Sequence, residues 1–399
     1  MSDLKICTLL ESYYPVVGGM ETQAKNLCSV LKKKGVRQII VTRRSSPDLA
    51  KSELVDGIAV YRAGPTGRSS RYRWLFMLTS MPLLIRKRRE YDIIFVSGFR
   101  VLGISAVIVA KLLGKRTVFK ADCAGELSGA FFAGGLEGMK LKRGNRLVKT
   151  FIWLRNRILL KADCFVTMYS EMTEELQEYG VDKNKITLIP NTVDVTRYNV
   201  SSAEMRRQLR QKLKLPQQHR IAIYTGRIVS YKGVPLLLKV WKELLRERTD
   251  ITLVICGAGG VDIYACEEEV RDFVRENDMG GNVVFAGSVS NVDEYLKASD
   301  IYVLPTENDA FPLCILEAMA CGLPIVTTTV GALKDIIKHT RNGLVMAPAN
   351  QKQLYDELKK LLENSELCEK LGHQARQDVL ENYTLDIVAE KYIDLYSKI

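Results

Sequence analysis

Short β-rich runs alternate with helical stretches along this 399-residue chain, and the alternation starts twice. The first half predicts strands at 5–10, 38–42, 58–62, 93–97, 117–120 and 164–168, with helical patterns between them, notably at 21–34 and 102–113. The same grammar restarts after residue 215. Strands are expected at 221–225, 252–256, 283–286, 301–304, 324–328 and 343–345, and helices at 234–246, 264–276, 292–298, 316–320 and from 351 to 363 onward. Strands joined through helices must pair in parallel, which places helices on both faces of a sheet. The chain is also too long for one hydrophobic core. The fold class expected is α/β, with two tandem Rossmann-like, doubly wound domains. Residues 1–195 form the first and 196–381 the second, while a terminal helix at 382–399 is expected to pack back on the first. The boundary follows the turn I-P-N-T-V-D at 189–194, and the polar helical stretch 201–218 opens the second domain.

Composition narrows the class. Hydrophobic residues make up 47% and charged residues 26%, ordinary for a globular protein. No stretch reaches the roughly 18 uninterrupted apolar residues of a membrane-spanning helix. The first residues run straight into a strand without the charged start, apolar block and cleavage site of a signal peptide, so a cytoplasmic location is expected. The nine cysteines are scattered and form no C-x-x-C pair, which argues against a disulfide framework or a zinc site. Of the three histidines, none precedes His219, so the first half has no histidine for base, nucleophile or ligand.

Charge is divided unevenly. Residues 1–195 hold 32 Lys and Arg against 18 Asp and Glu, and residues 196–399 hold 26 against 28, so the net charge of +12 belongs to the first half. The bases cluster at 32–34, 68–73, 86–89 and 140–146. Such a half attracts an anionic membrane, a polyanion or a phosphorylated acceptor, unless the lysines serve solubility alone. The bases are not interleaved with stacking aromatics, so nucleic acid is not an expected partner.

Three loops after strands carry candidate chemistry. In Y-P-V-V-G-G-M-E, Gly18 and Gly19 follow the first strand and either let backbone approach a phosphate or simply form a tight turn. In Y-T-G-R-I-V-S-Y-K-G, Gly226 precedes Arg227 and Lys232, two cations able to share one anion such as a pyrophosphate, or two surface charges. In T-E-N-D-A-F-P-L-C-I-L-E-A, a helix starting near Phe311 would put Asp309 at or before its cap and Glu317 about two turns inside. The helix N-terminus favours an anion, and the two acids could hold two hydroxyl groups of one ligand. The run G-A-G-G-V-D at 257–262 fails the dinucleotide fingerprint because Asp262 stands at its sixth position. There is no Walker P-loop, G-x-S-x-G, H-E-x-x-H or Asp-x-Asp, so chemistry without a metal or resident cofactor is expected.

Taken in order, Y-Y-P-V-V-G-G-M-E, Y-D-I-I-F-V-S-G, A-D-C-F-V-T-M-Y-S, I-P-N-T-V-D, G-R-I-V-S-Y-K-G and the Asp309–Glu317 segment resemble the family 4 glycosyltransferases. The resemblance spans essentially the whole chain. It implies a GT-B architecture with an interdomain donor cleft that closes on the substrate, and transfer of a hexose from a nucleotide diphosphate sugar with retained configuration. It places Gly18 and Gly19 against the donor phosphates, Arg227 and Lys232 on the diphosphate, and Glu317 on the ribose. The Phe311, Pro312 and Leu313 backbone would lie near phosphate and sugar, and Val289 near the base. Two departures stand out: the family's first glutamate is Asp309 here, and the histidine usual after the 117–120 strand is absent. Asp122 or Glu126 are the candidates for a polar contact there, on the acceptor side.

The expected acceptor is a growing polysaccharide or lipid-linked glycan, handled at the inner face of a membrane. The apolar run at 74–85, flanked by arginines, is only about 18 Å of helix. It is compatible with a core helix and with one lying in a membrane interface. A soluble sugar-phosphate acceptor, or a catalytically silent nucleotide-sugar-binding subunit, are the alternatives.

Overall fold

The computed structural model of the chain describes residues 4–16, 18–67, 71–129, 146–260 and 262–399. Of the basic clusters, 68–70 and 140–145 lie outside the described residues, as do Val17 of the first glycine loop and Val261 of the G-A-G-G-V-D run. The chain divides into two compact units, Met1–Asn191 with Leu385–Ile399, and Thr192–Thr384. The division thus falls before Thr192, where the sequence placed it after Val195, and the terminal segment starts at Leu385 instead of Asn382.

The first unit runs β1 (Lys5–Leu9), α1 (Gly19–Lys33), β2 (Arg37–Arg43), β3 (Ser52–Val55), β4 (Ile58–Ala63), α2 (Arg71–Arg86), β5 (Ile93–Ser97), α3 (Phe99–Leu113), β6 (Arg116–Lys120), α4 (Arg146–Leu159), β7 (Cys164–Thr167), α5 (Ser170–Glu178) and β8 (Ile186–Leu188). Its sheet has the order β3-β4-β2-β1-β5-β6-β7-β8 and is parallel except for the antiparallel β3–β4 pair. The inner strands are almost wholly buried, as I-I-F-V-S in β5, because helices cover both faces of a parallel sheet. One face packs Ile6, Phe95, Val118 and Val166 against Leu27 and Leu31 of α1 and against Tyr392 and Tyr396 of the terminal helix. On the other face Phe99 of α3 stacks on Phe119 of β6 at 5.1 Å and meets Phe165 of β7 edge-on at 5.7 Å.

The second unit runs α6 (Ala203–Lys212), β9 (Arg220–Thr225), α7 (Val234–Leu244), β10 (Ile251–Cys256), α8 (Glu267–Glu276), β11 (Val283–Gly287), α9 (Val292–Ala298), β12 (Ile301–Leu304), α10 (Leu313–Ala320), β13 (Ile325–Thr328), α11 (Leu333–Ile336), β14 (Leu344–Met346), α12 (Gln351–Glu363) and α13 (Ser365–Asn382). The last helix, α14 (Leu385–Lys398), belongs to the first unit and packs on α1. The second sheet has the order β11-β10-β9-β12-β13-β14 and is parallel throughout. Among the described residues no helix is long and apolar enough to cross a membrane.

Two strands lie outside the sequence expectation, and both sit at edges of the first sheet. S-E-L-V of β3 is mostly exposed, and β8 has only three residues, so neither carries the buried apolar run that marks an inner strand. The helix expected at 264–276 starts at Glu267. Asp262 diverts the preceding chain into a turn, its carboxylate accepting from the Tyr264 amide at 3.0 Å and its carbonyl from the Ala265 amide. The helix expected near 311 or 316 starts at Leu313.

Candidate active site

Open parallel sheets bind ligands beyond the carboxyl ends of their strands, where the loops into the next helices gather. In the second unit the loops after β9, β10 and β11 and the helix α10 enclose a cavity of about 610 Å³. Gly226, Arg227, Gly257, Val289, Cys314 and Glu317 are among its lining residues. Its wall depends on close backbone approach. Gly257 lies at φ +152°, and a Cβ there would stand 1.8 Å from the Gly226 carbonyl oxygen. A second close approach fixes the neighbouring loops. Gly233 lies at φ +78°, and its missing Cβ would meet the Pro305 carbonyl oxygen at 2.1 Å. With that contact made, the Glu307 amide donates to the Tyr231 carbonyl at 2.8 Å, so the loops of 228–233 and 305–312 are bound together.

That loop pairing brings Lys232 onto Asp309. The ammonium donates to the Asp309 carboxylate, and both side chains are mostly buried. Asp309 is therefore not the cap of α10: the cap position is Pro312, which contributes no side-chain hydrogen bond, and Asp309 lies ahead of it as the partner of Lys232. Arg227 is held separately. It donates to the Asp262 carboxylate and to the Tyr231 hydroxyl at 2.7 Å. Both cations flank the Tyr231 ring, at 5.9 Å for the Arg227 guanidinium and 5.8 Å for the Lys232 ammonium. Each of the two cations is thus matched by its own carboxylate.

Glu317 is half-buried on α10 and reaches the cavity. Burial raises its pKa above the ordinary glutamate value, against the hydrogen bond it accepts from Tyr198 and the attraction of Arg197. Burial also pushes the Cys314 thiol up to about 12, so it stays un-ionised at neutral pH. Phe311, Pro312 and Leu313 form the entry to α10, whose first amides lack intrahelical acceptors and favour negative charge.

The remaining candidates belong to the first unit. Gly18 is the extended residue that begins α1, with φ −159°, and Gly19 is its first helical residue. Asp122 and Glu126 follow β6. Asp122 accepts from the Ser97 hydroxyl at 3.0 Å and lines a small cavity of about 120 Å³ with Met20, Arg73 and Arg100. Glu126 is buried, 3.3 Å from the Arg100 guanidinium. Burial holds the Asp122 carboxyl above its ordinary range and lifts Glu126 to about 7, with Arg100 pulling the other way.

The family model for glycosyl transferases group 1 matches residues 205–378, and that for glycosyltransferase family 4 matches residues 17–197. The chain belongs to the family 4 glycosyltransferases. It is 24% identical to an uncharacterized glycosyltransferase of Methanocaldococcus jannaschii, over 98% of each chain. It is 26% identical to a D-inositol 3-phosphate glycosyltransferase of Kineococcus radiotolerans, over 80% of this chain and 75% of that one. Among solved structures it superposes on Anabaena HepE in complex with UDP, with TM-score 0.78, 17% identity and coverage of 99% and 100%. The two tandem Rossmann-like units are thus the GT-B architecture.

Sequence reading found Gly226, Arg227, Val289 and Glu317 of the glycosyltransferase's cavity, and missed Cys256, Ala258, Ser288 and Asp262. For Ala258 and Asp262 the signal was present: a glycine-rich run directly after a strand. Its failure as a dinucleotide fingerprint did not stop it from lining a pocket. Tyr198 and Arg197, which face Glu317 from before α6, carried no motif.

Proposed function

We propose that this glycosyltransferase moves a hexose from a nucleoside diphosphate sugar to an acceptor hydroxyl with retention of anomeric configuration. The acceptor in this proposal is a lipid-linked or surface glycan, met at the inner face of a membrane. The observation that carries it is the lining of one cavity by Arg227 and Glu317, with a helix N-terminus beside them. The volume of about 610 Å³ suits a nucleotide-sized ligand. Arg227 takes the diphosphate after releasing Asp262, Glu317 accepts from ribose hydroxyls, and Val289 lies against the base. Lys232 and Asp309 act as a unit: the lysine draws toward the diphosphate while the aspartate accepts from a sugar hydroxyl. The bond from the anomeric carbon to the leaving phosphate oxygen breaks as the acceptor oxygen bonds on the same face. The acceptor proton passes to that phosphate oxygen, so no protein nucleophile is needed. Arg227, Lys232 and the first amides of α10 meet the charge growing on the leaving group, which leaves no role for a metal ion or resident cofactor.

Melting the protein with a series of nucleoside diphosphates and their hexose conjugates tests the donor class, since a bound ligand raises the transition. Uridine diphosphate is the first to try, because a protein of the same fold is solved with it. Arg227→Ala and Glu317→Ala are each expected to lower transfer about 100-fold or more with the fold intact. Near-normal turnover in either variant would overturn the site.

A soluble sugar phosphate is the second reading of the acceptor. Arg73 and Arg100 at the small cavity of the first unit favour it. Product analysis with sugar phosphates and lipid-linked saccharides offered together separates the two.

A further inference from the structure

Helices α2, α3 and α4 carry nine lysines and arginines between them and no aspartate or glutamate. They lie together on one side of the first unit, α3 packing against both of the others, and Trp74 of α2 meets Phe151 of α4 edge-on at 5.6 Å. Their inward positions fill the core: Phe76, Ser80 and Leu84 of α2 are buried, as are Phe99, Leu102 and Ala106 of α3. Their outward positions are also apolar. Leu75 and Leu78 on α2, Ile108 and Leu112 on α3, and Phe151, Trp153 and Leu154 on α4 are all exposed, Leu112 at 71% and Trp153 at 55%. The outward bases are Arg71, Arg86, Lys111, Arg146, Lys149 and Arg157. The Arg157 guanidinium sits 5.2 Å over the Trp153 ring, beside a hollow of about 990 Å³ that Lys149 and Ile152 help to line.

A partner for this face must be apolar where Leu, Phe and Trp side chains meet it, and anionic around them. A second copy of the chain would set bases against bases, with no acid on these helices to offset them. A nucleic acid would match the charge and stack on the aromatic rings, but it gives Leu75, Leu78 and Leu112 no apolar phase to enter. We infer that this face docks on the anionic surface of a lipid bilayer, its leucines and aromatic rings entering the acyl boundary and its bases lying among the headgroups. The 74–85 run thereby serves both of the roles its sequence allowed, core on one side and interface on the other, and α3 and α4 extend the surface beyond it. The inference deepens the membrane part of the proposed function and rests on it only in expecting an acceptor at the same surface.

Co-sedimentation of the full chain with vesicles tests it without turnover, so its failure and failure of the donor site are distinguishable. Binding is expected to phosphatidylcholine vesicles doped with phosphatidylglycerol, at least about tenfold weaker to phosphatidylcholine alone, and weakened by salt. The pair Trp153→Ala with Leu154→Ala should lower binding about tenfold or more, and Lys149→Glu with Arg157→Glu should remove most of its salt dependence. Unchanged far-ultraviolet circular dichroism keeps these losses from being read as unfolding. Trp153→Phe retains an apolar ring and should keep lipid binding while losing most of the lipid-induced shift in tryptophan emission. Equal binding by all variants, equal affinity for neutral vesicles, or wild-type self-association abolished by the Trp153 and Leu154 changes would each overturn the inference.

Discussion

Beyond β9 to β12 the second unit holds each of its two cations with an acid, Arg227 at a wide cavity, whereas beyond β5 and β6 the first unit keeps acids where water is scarce. The cavities differ in size accordingly, about 610 Å³ against about 120 Å³. Arg227 is more than half exposed and paired with Asp262, so exchanging one anion for another there costs little desolvation. Glu126 is buried beside Arg100, and burial raises its proton affinity. One sheet end presents an exposed cation whose anionic partner can be exchanged, and the other presents buried acids whose protonation is set by the protein. The difference lies in the loops, since both sheets deliver their strand ends in the same way.

The wall between β9 and β10 is where that contrast breaks most sharply. In Gly257→Ala the new Cβ must push aside the Gly226 carbonyl oxygen, 1.8 Å away, at a φ of +152° that side chains rarely adopt. A loss of about 2–5 kcal/mol in stability is expected, with the wall of the second unit's cavity deformed. Gly18→Ala in the first unit is the control. Its Cβ would meet only the movable Glu21 carboxylate at 2.5 Å, and the backbone is ordinary extended chain. That change should cost about 1 kcal/mol or less. Urea unfolding of both variants decides the matter, and equal losses would remove the backbone contact as the cause.

The inner strands were legible because burial on both faces writes a continuous apolar run, as at 93–97 and 301–304, where expected and observed strands coincide. The edge strands of the first sheet were not, since β3 faces water and follows no alternation and β8 has only three residues. Arg227 was legible as a charge just after a strand and Glu317 as an acid inside a helix, but their partners were not. Asp309 reads locally as an acid at or before a helix cap, and the close approach of Gly233 to Pro305 sets it against Lys232. Asp262 reads as the residue that spoils a fingerprint, while in the folded chain it holds Arg227. Such pairings join residues far apart in the chain, and no local pattern announces them.

The buried acids sharpen the comparison through pH. Burial holds the Glu126 carboxyl at about 7, above the ordinary glutamate value of about 4.3. Below the ordinary value the side chain is protonated folded or unfolded, and its stabilising contribution is complete. As pH rises through about 7 the folded protein must ionise a buried carboxyl, and that contribution is lost. Wild type should therefore lose up to about 3 kcal/mol from this group between about pH 4.5 and 7, while Glu126→Gln, neutral throughout, should have a flatter profile. Denaturant unfolding from pH 5 to 8 compares the slopes. The slope is the quantity to read, because the substitution also removes the counter-charge of Arg100 at high pH. Parallel profiles would mean that Glu126 ionises as freely as a surface acid, and the contrast between the two sheet ends would fail.

Asp262 offers the smallest effect and the finest test. Its carboxylate occupies the Arg227 guanidinium that the proposed function gives to a diphosphate, and both line the same cavity. An incoming diphosphate must break that pair and then lie close to the freed carboxylate. Because Arg227 is largely exposed, the pair is worth less than about 1 kcal/mol, so its removal is worth at most about fivefold in affinity. Asp262→Asn keeps an oxygen to accept from the Tyr264 amide, which preserves the turn before α8 while removing the charge. Calorimetric titration with uridine diphosphate should then show binding a few-fold tighter than wild type. Weaker binding would make Asp262 a direct contact of the nucleotide. The second unit's cations would then be held for the ligand by acids that stay with it, not by acids that it displaces.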